Sequence, residues 1–175
     1  MLIMKFTINN IEYEIREWKE TDSIPELTKL LHRAYKPLAD MGLIFLATHQ
    51  SDEQTKRRIE KGDCFVIEHE GKLIATISLY KHNKLSECEM YRNENACYFG
   101  QFAVEPRMQQ SGIGSMLMEF IEEYAKEMGM RELALDTSEL AHHLIIYYEK
   151  RGYKFVHYHQ WDIVNYRSVV MSKKL

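Results

Sequence analysis

The chain has 175 residues, of which 45% are hydrophobic and 28% charged, and its formal net charge at pH 7 is −3. This is ordinary globular usage over a length that can bury a core, so we expect one domain over residues 1–175. The weakly acidic charge argues against a nucleic-acid partner. No apolar run approaches the ~20 residues that a membrane span needs, and the apolar stretch of residues 1–6 is too short for a signal peptide.

Cysteine and histidine usage indicates the cellular setting. Cys64, Cys88 and Cys97 are an odd number at irregular spacings, and they form neither a disulfide framework nor a C-x-x-C pair. Free cysteines are typical of a reducing compartment, so we expect a cytoplasmic protein. His157 and His159 alternate on one predicted strand, but no third ligand follows at a fitting distance, so no metal is expected.

The first half of the chain predicts a strand, two helices and a hairpin. Residues 11–18 alternate apolar and polar side chains, which is typical of a strand. Capping boxes beginning at Ser23 and Ser51 open two helices, the second ending near Lys61. The apolar residues 36–50 between them form either a third short helix or a lid over a cleft. Two β-rich runs, 64–69 and 72–80, meet at Glu70-Gly71 as a hairpin.

The second half predicts the centre of the sheet. A polar loop over 81–95 precedes a largely apolar run over 96–104, which indicates a strand buried on both faces, with a bulge or close backbone approach at Gly100. The remaining predicted elements are a helix over 113–128, a short strand over 132–135, a helix over 138–151, and strands over 153–159 and 166–172 around a turn at 161–165. The expected architecture is α/β, with a mixed central sheet flanked by helices.

The loop between the central strand and the first of these late helices is a candidate anion site. It reads Gln109-Gln-Ser-Gly-Ile-Gly114 and runs directly into an amphipathic helix. Glycine permits close backbone approach, and the first helical turn offers unpaired N–H donors, which together suit a phosphate or pyrophosphate. A dinucleotide fingerprint fails because Leu117 stands where its last glycine belongs, and no Gly-Lys-Ser/Thr of a P-loop follows.

Two linked motifs resemble those of the GNAT N-acetyltransferase superfamily. The run Ala103-Val-Glu-Pro106 followed by Gln109-x-x-Gly-x-Gly114 is similar to the family's Gln/Arg-x-x-Gly-x-Gly/Ala signature. The second motif, Tyr148-Glu-Lys-x-Gly-Tyr153, ends the next predicted helix as in the family. The resemblance implies the acyl-CoA N-acyltransferase fold and an enzyme that uses acetyl-CoA as its acyl donor.

The same resemblance implies roles for particular residues. Backbone N–H groups of the glycine loop would hold the CoA pyrophosphate, and the edge of the central strand would pair with pantetheine. Tyr148 would protonate the departing thiolate as a general acid. The implied CoA-binding residues are Phe102, Ala103, Val104, Gln109, Gln110, Ser111, Gly112, Ile113, Gly114 and Ser115. Tyr147, its neighbour on the same helix, is expected to be a packing residue.

Several points stay open at the level of sequence. The base that takes the amine proton has five candidates: His82, Glu87, Glu89, Glu94 and Tyr98. Cys97 as a nucleophile lacks an identifiable partner. The acceptor is an amine of a small molecule or a peptide, and the alternatives are an inactive acyl-CoA sensor or transfer of another acyl group. Apolar residues of the last strands, Trp161, Val164, Tyr166, Val169 and Val170, predict a homodimer.

Overall fold

The computed structural model describes residues 3–175, so Met1 and Leu2 of the predicted domain lie outside the described residues. The strands are β1 (Ile3–Ile8), β2 (Ile11–Glu17), β3 (Asp63–His69), β4 (Lys72–Lys81), β5 (Ala96–Val104), β6 (Glu132–Ser138), β7 (Lys154–His159) and β8 (Ser168–Lys174). The helices are α1 (Ile24–Asp40), α2 (Asp52–Glu60), α3 (Ile113–Glu127) and α4 (His142–Glu149). Short 3₁₀ turns cover Leu46–Thr48, Met90–Arg92 and Pro106–Met108.

The strands form one mixed sheet in the order β1-β2-β3-β4-β5-β6-β8-β7. Every neighbouring pair is antiparallel except β5 and β6, which run parallel. The predicted mixed sheet flanked by helices is therefore confirmed. Within residues 3–175 no helix is both long and apolar enough to cross a bilayer.

Alternating side chains of the sheet build one core on each face. In β3, Phe65 and Ile67 belong to the cluster that includes α3, whereas Cys64 and Val66 belong to the cluster that includes Leu27, Leu30 and Leu31 of α1. The period-two alternation of a strand thus places α1 and α2 on one face of the sheet and α3 on the other.

The prediction of a single N-terminal strand was wrong, because β1 precedes β2 as its hairpin partner. Asn9 and Asn10 form the turn with φ values of 51° and 63°, which asparagine tolerates better than most residues. Met4, Phe6 and Ile8 pack on the α3 side of the core. The hairpin at Glu70-Gly71 is confirmed, with φ values of 51° and 73°.

Residues 36–50 are neither a separate helix nor a simple lid. Helix α1 continues through Pro37 to Asp40, and a 3₁₀ turn at Leu46–Thr48 follows. Pro37, Leu38, Phe45, Leu46 and Ala47 line the large cleft described below, so this segment forms one wall of it.

The predicted short strand and the helix over 138–151 also have different limits. Strand β6 extends to Ser138, because Thr137 and Ser138 pair with Val169 and Ser168 of β8. Helix α4 therefore begins only at His142. Gly129 and Gly152 follow α3 and α4 with φ values of 79° and 92°, so both are glycines that end a helix in the left-handed conformation.

Candidate active site

The parallel strands β5 and β6 separate after a short paired stretch, and a cleft opens between them. Their pairing covers only Ala96–Tyr98 against Glu132–Ala134, although β5 runs on to Val104 and β6 to Ser138. The cleft has a volume of about 1270 Å³ and reaches from the glycine loop past Tyr98 to Lys81 and α2. A cleft of this size can hold an extended donor molecule and an acceptor side by side.

A bulge shapes the wall that β5 contributes. Ser78 pairs with Gly100 and Thr76 with Ala103, so the single residue between Thr76 and Ser78 opposes two residues of β5. Gln101 takes a φ of 47° there, next to the glycine at which a bulge or close approach was expected. The hydroxyl of Tyr35 in α1 donates a hydrogen bond to the Phe102 carbonyl over 3.0 Å, which ties α1 to this part of β5.

The glycine loop turns its backbone toward the cleft. Gln110 and Gly112 have φ values of 62° and 99°, and the first helical bond of α3 runs from the Met116 N–H to the Gly112 carbonyl. The N–H groups of residues 113–115 therefore have no partner within the helix, which is the condition for an anion site. The Gln109 side chain donates to the Val104 carbonyl over 3.1 Å and ties the loop to β5.

Gly114 leaves room where α3 faces the cleft. A Cβ there would stand 3.5 Å from Phe102, 3.6 Å from Val104 and 3.6 Å from the Tyr147 hydroxyl, all ordinary contact distances. Tyr147 lines the cleft and carries the Arg151 guanidinium 4.6 Å above its ring, while Arg151 also donates to the Ser115 hydroxyl. Tyr147 is thus part of the cleft wall as well as a packing residue.

The structure brings the predicted site residues together. Those lining the cleft are Phe102, Ala103, Val104, Gln109, Gln110, Gly114 and Tyr148, and the others, Ser111, Gly112, Ile113 and Ser115, complete the loop and the first turn of α3. The Ile113 side chain is buried in the core, so only its backbone is available to a ligand. Ser111 donates to the Met108 carbonyl and stabilises the turn before the helix.

Tyr148 is buried but its hydroxyl is free. Its ring lies 6.0 Å from that of Phe99, 5.3 Å from Tyr147 and 6.0 Å from Tyr153. The hydroxyl makes no hydrogen bond with any residue between 3 and 175, and the residue lines the cleft. Burial, followed by the neighbouring Tyr35, raises the pKa of Tyr148 well above its usual range, so the phenol keeps its proton.

The base candidates divide into two groups. His82, Glu87 and Tyr98 line the cleft, whereas Glu89 and Glu94 do not, and the exposed Glu94 pairs with Lys84 at 2.7 Å. Burial raises the pKa of Tyr98 to about 12, which leaves it neutral at physiological pH. Burial likewise raises the pKa of the Cys97 thiol to about 12, and this thiol faces the Glu132 carbonyl.

Asp136 is a cleft residue that the sequence analysis missed. It lies on β6 just beyond the last residues paired with β5, and its two oxygens accept from the Tyr91 hydroxyl at 2.5 Å and the Trp161 indole at 3.1 Å. A carboxylate has about four acceptor positions, so Asp136 retains capacity for a further donor. Tyr91 in turn stacks on Tyr98 with ring centroids 3.9 Å apart.

His157, one of the two alternating histidines, has a structural contact. Its Nε2 accepts from the Met90 N–H over 3.2 Å and fastens the 81–95 loop to β7. Among residues 3–175 no group of three or more His, Cys, Asp or Glu side chains is placed to hold a metal ion. The absence of a metal stays a prediction.

Comparison with known proteins identifies the family. The sequence pattern described as "Acetyltransferase (GNAT) family" matches residues 24–153. The chain belongs to the GNAT acetyltransferase family. The matched range contains both motifs and every predicted donor-site residue, and it confirms the expectation of an enzyme that transfers an acetyl group from acetyl-CoA to an amine.

Curated relatives of this GNAT chain include two enzymes of Bacillus subtilis (strain 168). An S-(2-succino)cysteine N-acetyltransferase is 28% identical over 143 residues, covering 81% of this chain and 82% of the relative. An S-alkylcysteine N-acetyltransferase is 28% identical over 133 residues, covering 74% and 72%. An amino-acid acetyltransferase of Pseudomonas putida (strain GB-1) is 28% identical over 146 residues, but this chain covers only 29% of it.

Solved structures share the fold of the GNAT chain. The GNAT domain of S. lividans PAT superposes with a TM-score of 0.74 at 17% identity, covering 99% of this chain and 97% of that one. A GNAT family acetyltransferase from Elizabethkingia anophelis with acetyl-CoA bound has a TM-score of 0.66 at 15% identity, covering 93% and 98%. These likenesses establish the fold alone.

Proposed function

We propose that the chain transfers an acetyl group from acetyl-CoA directly to the amine of a small acceptor of the amino-acid class. The observation that carries this proposal is one cleft that combines three features. Backbone donors of the glycine loop lie at one end, the separated edge of β5 forms one wall, and Tyr148, which has a free hydroxyl, lines the cleft.

The glycine loop fits the charge and shape of the donor. Residues 110–115 supply backbone N–H groups at the positive end of the α3 dipole, which favours a pyrophosphate. Gly114 keeps the surface beside this turn free of a side chain, so the chain of the donor can pass between α3 and β5. Phe102, Ala103 and Val104 then offer the strand edge along which pantetheine would lie.

Tyr148 supplies the proton that the leaving group needs. The neutral amine attacks the thioester carbonyl carbon, a C–N bond forms, and the C–S bond breaks with its electron pair on sulfur. Tyr148 gives its proton to that thiolate and regains one from the attacking nitrogen as the amide forms. Before the attack the ammonium form of the acceptor must lose a proton to a base, because an alkylammonium with a pKa near ~10 is almost fully charged at pH 7.

Asp136 is our candidate for the residue that attracts the amine and takes its proton. It lies on the strand opposite β5, and the donors from Tyr91 and Trp161 hold its carboxylate in a fixed orientation. A carboxylate in this place attracts an ammonium group into the cleft and can receive the proton that it sheds.

The acceptor class is supported by the names of the relatives. The two Bacillus subtilis relatives are named for N-acetylation of cysteine derivatives, and the Pseudomonas putida relative for amino-acid acetylation. An α-amino group is a primary amine, so this class agrees with direct transfer. A small amino acid is the form of acceptor that we favour over a peptide.

The proposal also includes the cellular location, the need for a metal and the oligomeric state. Cys64, Cys88 and Cys97 are buried and unpaired, in agreement with a cytoplasmic protein, and the reaction proposed needs no metal because side chains and backbone supply its acid, base and anion site. We propose a homodimer through β7, one of the two outer strands of the sheet, where Phe155 and Tyr158 are about half exposed. Tyr166, Val169 and Val170, which the sequence suggested for this contact, are instead buried within the chain itself.

The experiment is a measurement of CoA release from acetyl-CoA across a panel of amino acids and other amines, with mass spectrometry of each product. We expect release that depends on the amine, and a product heavier by one acetyl group. Binding of acetyl-CoA without release for any amine would identify a sensor. Release only from a longer acyl-CoA would identify another acyl group.

A further inference from the structure

Arg58 reaches from α2 across to the bulged strand β5. Its Nη1 donates to Gln50 Oε1 over 2.7 Å. Its Nη2 lies 3.1 Å from the point where a Cβ would stand on Gly100, and the Tyr80 ring lies 3.4 Å from the same point. The glycine therefore leaves room for a guanidinium against the strand, beside a tyrosine, on the wall of the cleft.

The charge of Arg58 has no carboxylate partner. Arg16 bonds Asp22 at 2.8 Å and Arg33 bonds Glu105 at 2.6 Å, but within residues 3–175 no carboxylate lies within 4 Å of the Arg58 guanidinium. Within the described residues its one side-chain hydrogen bond goes to a neutral amide. A guanidinium carries five N–H donors in a planar fork, so most of them are available to a ligand.

The hydrogen bonds around Arg58 also present a buried amide donor. Because Arg58 can only donate, Gln50 must offer its oxygen to it and use its nitrogen elsewhere. That nitrogen donates to Thr55 over 2.7 Å and to Gln101 Oε1 over 2.9 Å. The oxygen of Gln101 is thereby occupied, and its Nε2 is left as a buried donor on a residue that lines the cleft.

Two donors beside Arg58 are buried without a partner. The Gln101 Nε2 and the Tyr80 hydroxyl make no hydrogen bond in the described part of the chain, and the two residues are only 1% and 7% exposed. Buried polar atoms are nearly always bonded, so unbonded donors beside an unpaired guanidinium indicate that a ligand supplies the acceptor. A carboxylate has acceptor oxygens enough for all three groups.

We propose that Arg58, Tyr80 and Gln101 bind the carboxylate of the acceptor, so that the substrate is an amino acid with a free carboxylate. This inference rests on the proposed amine acetylation and names its substrate more narrowly. The phosphates of acetyl-CoA have a separate proposed site, the glycine loop. This loop follows the end of β5 at Val104, whereas Gly100 lies in the middle of the strand.

Asp136 gives the cleft a charge of the opposite sign. Burial is the main cause that raises the pKa of Tyr35, Tyr98 and Tyr166. The charge of Asp136 raises the same three pKa values further and the charge of Arg58 lowers them, so both charges act on one region of the cleft. An α-amino acid carries an ammonium and a carboxylate on the same carbon, which is the charge pattern that such a site complements. Aromatic rings line the same region, so we choose aromatic and thioether acceptors as probes.

The test compares amino acids with their decarboxylated counterparts. Phenylalanine is paired with phenethylamine, and S-benzylcysteine with 2-(benzylthio)ethylamine, on the wild-type enzyme and on Arg58→Gln. We expect the KM of the amino acids to rise about 10–100-fold in the variant, as for the loss of one or two charge-assisted bonds, and the KM of the amines to change less than about 3-fold. The Kd of acetyl-CoA, measured by calorimetry, should stay within about 3-fold of wild type.

Two further variants make the result specific. Arg57→Gln on the same helix is the matched control, because Arg57 is exposed and does not line the cleft. Tyr80→Phe removes one unbonded hydroxyl without removing the ring, and it should raise the amino-acid KM about 3–10-fold in a folded protein.

The outcomes separate this inference from the proposed function. Equal effects of Arg58→Gln on amino acids and amines, or a wild-type enzyme that prefers the amines, would overturn the carboxylate site while leaving acetyl transfer intact. Absence of transfer to any amine by the wild-type protein would overturn the proposed function itself.

Discussion

Replacing Tyr148 by phenylalanine separates the chemistry of its hydroxyl from the packing of its ring. The ring contacts with Phe99, Tyr147 and Tyr153, at centroid distances of 5.3–6.0 Å, are kept in the variant. The hydroxyl forms no hydrogen bond within the described residues, so its removal leaves no donor or acceptor unpaired. We therefore expect the free energy of unfolding and the Kd of acetyl-CoA to be close to those of the wild type.

The expected loss is in kcat. General acid catalysis contributes about 10²–10⁴-fold, and the lower end applies here because a thiol with a pKa near ~8.5 is already a tolerable leaving group. A loss of about 10²-fold corresponds to about 2.7 kcal/mol of the barrier. Since burial holds the pKa of Tyr148 well above 10, the wild-type rate should also show no alkaline decline from this group below about pH 10.

The assay is pre-steady-state CoA release with the best acceptor found, so that chemistry and product release are resolved. Tyr153→Phe is the control, because Tyr153 is equally buried but lies outside the cleft and donates to Glu122 over 3.0 Å. Tyr153→Phe should lower stability by about 1 kcal/mol and leave kcat unchanged. Full kcat in Tyr148→Phe, with chemistry rate-limiting, would refute the assignment of Tyr148 as the acid.

Three other predictions concern the donor site, stability and assembly. Gly114→Val should fold but weaken CoA binding by about 10-fold or more by calorimetry, since a bulky side chain would enter the cleft; unchanged affinity would mean that the loop is assigned wrongly. Burial raises the pKa of Asp22, but the hydrogen bonds from Arg16 and the Lys19 N–H, together with the charges of these two residues, more than offset it, so the net pKa is lowered. The resulting stabilisation is complete above the unfolded pKa of ~3.9 and is lost as the pH falls toward the folded pKa. Asp22→Asn should lower the free energy of unfolding in urea by about 3 kcal/mol at pH 7 and remove this part of its dependence on acid pH. A variant whose stability falls at acid pH as steeply as that of the wild type would contradict the prediction. Light scattering at micromolar protein should show a dimer that Phe155→Lys converts to the 20.8 kDa monomer, and a wild-type monomer would remove the proposed interface.

The residues of the proposed donor site could be singled out from the sequence because their signals are local. The glycine loop and the Tyr148 motif are short and recognisable, and the structure places both on the same cleft. The strand β1 also had a local signal, the alternation of Met4, Phe6 and Ile8 before the Asn9-Asn10 turn. Residues 3–6 of the apolar stretch 1–6, which is too short for a signal peptide, form the beginning of this strand.

The residues of the proposed acceptor site could not be predicted, because they meet only through tertiary structure. Gln50 and Gln101 are 51 positions apart, and Tyr91 and Asp136 are 45 apart. Asp136 becomes a cleft residue because β6 separates from β5 before it, and strand separation has no sequence signature. For the same reason the polar Ser138 was predicted as the start of a helix, although pairing with β8 buries it, with Thr137, in the sheet.

The most direct test of acetyl transfer is a single-turnover experiment with acetyl-CoA labelled in the acetyl group. The enzyme in excess is mixed with the labelled donor and an amino acid, and the reaction is stopped at intervals for mass spectrometry of protein and small molecules. Direct transfer predicts that the label moves to the amino nitrogen at the rate of CoA release, with no labelled protein at any time. Label on the protein before the product, or CoA release without labelled product, would contradict it.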